Sequence, residues 1–178
     1  MLEMVVAMVV LMIGLLSMAQ VLGYALSVSN RGRSVTNTKL LVVSTLEQME
    51  NLRNTGQLTY GQIANVGTVD NSGATFVFGG FLTGAQTVSS DPGPDGMYGT
   101  ADDLTSAGSD GIFGTGDDKP NDTKLIRTGF QRTINITLLS PNLKKIEVTL
   151  DYTDANGVKR TQKGVSYLNN DARSNVLH

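Results

Sequence analysis

Apolar and polar positions divide the chain into three unlike parts. From Leu2 to Val28 nearly every residue is Val, Leu, Met, Ile, Ala or Gly, Glu3 is the one group charged at neutral pH, and the next charges are Arg31 and Arg33. A helix needs about 20 apolar residues to cross the ~30 Å hydrocarbon core of a bilayer, so 1–28 predicts a membrane-length helix with basic residues at its exit. No basic stretch opens the run, and its length exceeds the usual 7 to 15 apolar residues of a signal peptide, so the segment is expected to stay with the mature protein. Over 29–54 the pattern becomes one-sided. Val35, Val42, Leu46, Met49 and Leu52 fall at spacings of seven, four, three and three, one face of an amphipathic helix, and Asn54-Thr55-Gly56 is its stop. A helix over 1–54 would be about 80 Å long, too long for the residues that follow to bury. Gly14, Gly23 and Gly32 lie within it, nine residues apart, each costing about 1 kcal/mol against Ala. They either let another helix approach or permit local unwinding.

The last part, 124–178, alternates with period two. Ile134, Ile136 and Leu138 alternate with Thr133, Asn135 and Thr137; Ile146, Val148, Leu150 and Tyr152 alternate with Lys145, Glu147, Thr149 and Asp151. Ser140-Pro141-Asn142 turns the first strand into the second. Asp154-Ala155-Asn156-Gly157 turns the second into Val158 to Leu168, where Val165 and Tyr167 keep the inward phase, although Lys159-Arg160 and Gly164 suggest an exposed edge or bulge. With Lys124 to Phe130 as a fourth strand, this is an antiparallel meander with one apolar face, covered by the amphipathic half of the helix. The expected fold class is α+β: a long N-terminal α-helix packed on an antiparallel β-meander head.

Between them, 55–123 is rich in loops. Thr75-Phe76-Val77-Phe78 and Phe81-Leu82 form its one strongly apolar patch, separated by Gly79-Gly80; a strand with a turn or an intersubunit contact is the alternative to its expected burial in the head. At 91–122 the composition turns acidic, with eight of the chain's 16 carboxylates in 32 positions: Asp91, Asp95, Asp102, Asp103, Asp110, Asp117, Asp118 and Asp122. Inside lies a repeat of period 15. Asp95-Gly96-Met97-Tyr98-Gly99-Thr100-Ala101-Asp102-Asp103 matches Asp110-Gly111-Ile112-Phe113-Gly114-Thr115-Gly116-Asp117-Asp118 at six of nine positions, with apolar and aromatic exchanges at two more. One backbone shape is expected twice, with Tyr98 and Phe113 anchoring each loop to the head. Asp-Gly turns that converge carboxylates and carbonyls suit calcium, which takes six to eight hard oxygen ligands at flexible angles. All eight Asp are candidate ligands, although the spacing is not that of an EF-hand. A solvated loop without an ion, or one holding magnesium, is the alternative.

A net charge of -2 gives no reason to expect nucleic acid as a partner. Without cysteine there are no disulfides, thiolate zinc sites or cysteine nucleophiles. The single His, His178, is the last residue, and no nucleophile and base stand together, so an enzyme is not expected.

A carboxylate at the head of an apolar helix asks for a partner or for water. The run LEMVVAMVVLMIGLL containing Glu3 resembles the mature N-terminus of type IV pilins, whose conserved Glu precedes a Val/Met/Ala/Leu-rich helix. The resemblance implies a basic leader removed by a dedicated peptidase, a methylated N-terminus, and Glu3 paired with the terminal amine of a neighbour during assembly. The family's Glu is normally the fifth mature residue; here it is third with no Gly-ending leader before it, so the leader and two mature residues are expected to lie outside this sequence, unless its start is unusual. The segment also resembles, loosely, Asp-Gly-rich calcium loops of secreted bacterial proteins. The expected function is a pilin in an extracellular filament, held in the inner membrane before assembly, with identical subunits and the pilus assembly machinery as partners. A type II secretion pseudopilin or minor pilin is the alternative within the class, and a monomeric membrane-anchored calcium-binding or adhesive protein the alternative outside it. The resemblance also places any break in the assembled helix between Gly14 and Gly23.

Overall fold

The structure is a computed structural model that describes residues 2–154 and 157–170. Met1, the Ala155-Asn156 pair of the expected hairpin and His178 lie outside the described residues.

The first element, α1 (Leu2–Asn54), is one continuous helix of 53 residues, about 80 Å long. Gly14, Gly23 and Gly32 all lie within it, and among the described residues nothing beyond the helix's own adjacent backbone comes within 4 Å of a Cβ placed at any of them. Its second half buries Thr38, Val42, Thr45, Met49 and Leu52, while Val35 and Leu46 are half-buried. The two threonines belong to the stripe because each hydroxyl donates to a carbonyl four residues back, Thr38 to Ser34 at 2.7 Å and Thr45 to Leu41 at 2.8 Å. Burial therefore leaves neither hydroxyl unpaired. The helix ends where expected, with Gly56 at φ +73°, a left-handed conformation that only glycine adopts without strain.

Four strands follow: β1 (Gln86–Ser89), β2 (Ile126–Ser140), β3 (Leu143–Thr153) and β4 (Lys159–Asn169), forming one antiparallel sheet in the order β1-β2-β3-β4. The α+β class and the meander are as the sequence predicts. Three details differ. The segment 124–130 is no separate strand; after a single 3-10 turn at Thr123–Leu125 it becomes the start of β2, and the fourth strand is β1, whose four residues are too few to show a period. Leu138 is 59% exposed, because it lies beyond the core beside a register shift between Leu138 and Ser140. Val165 and Tyr167 point outward, at 41% and 60% exposure, and the inner face of β4 carries Gly164, Ser166 and Leu168. The cause is the helix. A Cβ at Gly164 would collide with Val42 and lie 3.1 Å from Leu46, so α1 passes too close to this strand for a large residue to face it.

The core lies between the inner face of the sheet, the second half of α1 and the loop 55–85, and centres on Met49, Leu58, Ile63, Phe81, Ile146, Val148 and Leu150. Of the apolar patch at 75–82, Phe78 and Phe81 are buried edge to face at 5.3 Å, whereas Val77 is 84% exposed and no strand forms there. Polar side chains hold this loop on the sheet. The Asn65 amide donates to Ile134 O at 3.0 Å and accepts from Ile136 N at 2.7 Å, continuing the edge of β2 where β1 stops. Lys144 Nζ, on β3, donates to the carbonyls of Tyr60 at 2.6 Å and Ile63 at 2.8 Å.

Candidate functional site

Two features remain that the head's own packing does not explain. The first is the apolar half of α1. Eighteen large apolar side chains between Leu2 and Val28 are each 50% to 82% exposed. At roughly 1.5 to 3 kcal/mol for each large apolar side chain fully buried, tens of kcal/mol are at stake, against a folding stability of about 5 to 15 kcal/mol for a whole domain. This surface must be covered by lipid or by protein. Among the described residues α1 is the one helix long and apolar enough to cross a membrane. Glu3 is exposed in its first turn, where the partial positive charge of the helix N-terminus favours a carboxylate.

The second feature is the repeat at 91–122, where the two copies make the same bonds fifteen residues apart. Met97 N donates to Asp95 Oδ1 at 2.7 Å, and Ile112 N to Asp110 Oδ1 at 2.8 Å. Asp95 N donates to Asp102 Oδ2 at 3.0 Å, and Asp110 N to Asp117 Oδ2 at 3.3 Å. The Thr100 hydroxyl donates to Met97 O and Asp102 Oδ1, that of Thr115 to Ile112 O and Asp117 Oδ1. Gly99 N donates to Asp103, Gly114 N to Asp118. The glycines correspond too. Gly93 and Gly108 sit at φ +72° and +68°, each so close to the carbonyl of Asp102 or Asp117 that a Cβ would collide with it. Asp, Gly and Thr at these intervals thus specify the loop locally, by side chains that bond to backbone amides two to eight residues away.

The surroundings of the copies differ. The first is seated on the head: Met97 is 2% exposed, Gln48 of α1 accepts from Tyr98 N and donates to Tyr98 O, both at 3.1 Å, and a Cβ at Gly99 would meet Ile134 at 2.5 Å. Asp103 accepts from the Arg132 guanidinium of β2 at 2.9 Å. The second copy projects from the first, joined at its base by the backbone pair Ser106 and Lys119. Ile112 is 61% exposed, Phe113 37%, and a Cβ at Gly114 would meet nothing within 4 Å. The first loop is therefore held at Tyr98, through its backbone, whereas Phe113 at the corresponding position of the second is 37% exposed. Asp118 Oδ1, where Asp103 has its arginine as neighbour, is shielded from solvent and without a partner.

The candidate ligands mainly brace the chain. Asp91 accepts from Gly93 N, and Asp122 caps the 3-10 turn by accepting from Lys124 N. Among the described residues no three acidic side chains converge as a group that could hold a metal ion; the Asp95 and Asp102 carboxyls meet, whereas Asp117 accepts from the backbone N of Asp110. Burial, with a contribution from the charge of Asp102, pushes the Asp95 carboxyl up to about 6. Asp117 goes the other way, held well below the usual carboxylate range by the hydroxyls of Thr115 and Ser109 and the Ser109 amide. Burial pushes the Asp103 carboxyl up and the Arg132 guanidinium down, and their attraction offsets part of both. Gln48 and Arg132 are the residues sequence reasoning missed. Arg132 carries one faint signal, an unmatched cation in the inward phase of Ile134 and Ile136.

Comparison with protein-family models, with curated proteins and with solved structures gives no match.

Proposed function

We propose that the chain is the structural subunit of an extracellular filament resembling a type IV pilus, held in the inner membrane by the apolar half of α1 before the assembly machinery incorporates it. One observation carries the reading: a wholly exposed apolar half-helix is collinear with a half that the head holds rigidly. In lipid it is an anchor; beside identical helices it is the core of a polymer. Glu3, exposed in the first turn, supplies the charge that a neighbour's terminal amine would neutralise. The sheet, whose outer face carries the Glu147 pairs to Lys145 and Lys163 beside the exposed Val165 and Tyr167, forms the outer wall.

Calcium at the repeat is the second part of the proposal. Its support is the raised Asp95 carboxyl beside that of Asp102 in the first loop, which a divalent cation would relieve, and the shielded Asp118 oxygen of the second, unpartnered among the described residues. The chemistry of the donor set is hard oxygen throughout.

Electron microscopy of native material, wild type against Glu3→Ala, tests the filament. Long regular filaments from the wild type and a much reduced yield from Glu3→Ala, with unchanged thermal unfolding of the head, are expected. A dispersed membrane monomer in the wild type would leave the single-pass anchor in its place.

A further inference from the structure

We propose that the second repeat loop, 106–119, docks on the exposed face of α1 around Arg33, Lys39, Leu40 and Val43 of a second copy of this chain. The inference rests on the filament reading above and adds which surfaces of the heads meet.

The loop brings a defined chemistry. Ile112 and Phe113 are exposed at its tip, and Asp110, Asp117 and Asp118 outweigh Lys119. The helix offers the complement. Arg33, Thr36, Leu40 and Val43 follow at spacings of three, four and three, all exposed, with Leu40 at 62% and Val43 at 47%. This face lies opposite the buried stripe of Thr38, Val42 and Thr45, so the head does not cover it. Between Glu3 and Glu47 the chain has no acidic residue, and its charges there are Arg31, Arg33 and Lys39. The face carries cations toward its N-terminal end, Arg33 and Lys39, and a carboxylate, Glu47, one turn beyond Val43, so the acidic loop is complementary to its Arg33 and Lys39 end while Ile112 and Phe113 meet Leu40 and Val43.

The chain also shows how such a loop is seated. The first copy lies against the same helix, one turn beyond Val43, through Gln48, buries Met97, and closes its last Asp on a guanidinium. The second copy has the same backbone, the same apolar and aromatic pair and the same last Asp. Since both the loop tip and the face at Leu40 and Val43 are exposed, they do not cover each other within one chain. Donor and acceptor surfaces differ, so the contact is heterologous, the kind from which a filament is built when its rotation does not close a ring.

The chain has no cysteine, so introduced thiols report single contacts. Full-length Phe113→Cys and Val43→Cys proteins, coassembled and oxidised, should give a disulfide-linked heterodimer, and one chain carrying both should give a ladder. Phe113→Cys with Thr161→Cys, on the outer face of β4, should give none, and Arg33→Glu with Lys39→Glu should lower the heterodimer yield severalfold. Electron microscopy of the same preparations reports assembly independently. Regular filaments without the Phe113→Cys to Val43→Cys product would overturn the docking and leave the filament standing. Absence of both filaments and product would overturn both, and equal linking of Phe113→Cys to Thr161→Cys would show random collision and overturn the docking.

Discussion

Replacing Arg132 by Met tests how the first repeat loop is held. The guanidinium and the Asp103 carboxylate meet at 2.9 Å with side-chain exposures of 4% and 10%, so neither is paired through water. Removing one member of a buried pair leaves a charge that costs about 3 to 5 kcal/mol, against about 0 to 1 kcal/mol for a solvated surface pair. Methionine keeps the length and the place of residue 132 opposite Gln86, so the sheet register is spared and the loss falls on Asp103. At about 4 °C per kcal/mol for a head of this size, the full-length protein in detergent should melt about 12 to 20 °C lower by calorimetry. Adding Asp103→Asn, which removes the stranded charge while keeping an acceptor for Gly99 N, should return part of that loss. Because Arg132→Met gives Asp103 the unpaired state of Asp118, millimolar calcium should stabilise this variant more than the wild type, by about 2.7 kcal/mol at a hundredfold excess over its dissociation constant. A fall of less than about 4 °C would show the pair to behave as a surface ion pair, and the seating of the first loop would have to come from Gln48 and Met97 alone.

The Asp95 carboxyl, at about 6 in the folded chain against an ordinary 3.8, favours the fold most when protonated; its contribution is present below the ordinary value and is lost as pH rises through 6. In calcium-free buffer Asp95→Asn should therefore flatten the melting curve against pH between 4 and 6 and melt above the wild type at pH 7, and saturating calcium should reverse that order; wild-type curves identical with calcium and with chelator would remove the ion from the proposal. At Gly164, Val should lower stability by about 1 to 3 kcal/mol, since its side chain would displace Val42 and Leu46 from β4; Gly129→Ala, where the space is open but φ is +85°, separates backbone strain from crowding, and an unchanged melt for Gly164→Val would refute the close helix crossing.

The helix and the meander were legible because each carries its own period, 3.6 or 2, over more than ten residues. What was not legible depended on partners far along the chain. Val165 and Tyr167 continue an apolar alternation, yet the phase of β4 is set by a helix more than 110 residues earlier that leaves room only for Gly164 and Ser166. Thr38 and Thr45 look polar in sequence and are buried because each can satisfy its hydroxyl on its own helix. Four residues of β1 cannot show a period at all. At the repeat, the duplicated sequence gave the duplicated backbone, since its bonds span only two to eight residues. It could not show that Gln48 and Arg132 would seat one copy, because both lie about 30 residues or more from the residues they hold.

That division between local shape and distant seating bears on the second loop. Every Asp, Gly and Thr shared by the copies has a task inside its own loop: an amide acceptor, a positive φ, a close approach to a carbonyl. Where a position has no such task the copies differ, as at Pro92 and Ala107 and at Ala101 and Gly116. Met97 and Tyr98 have a task outside the loop, in the core and against α1. Ile112 and Phe113 lack the burial of Met97, at 61% and 37% exposure against 2%. That they remain an apolar and an aromatic residue at the tip of a solvent-facing acidic loop points to a surface outside this chain, and the unshielded stripe of Arg33, Leu40 and Val43 on another copy has the charge and the apolar character to supply it.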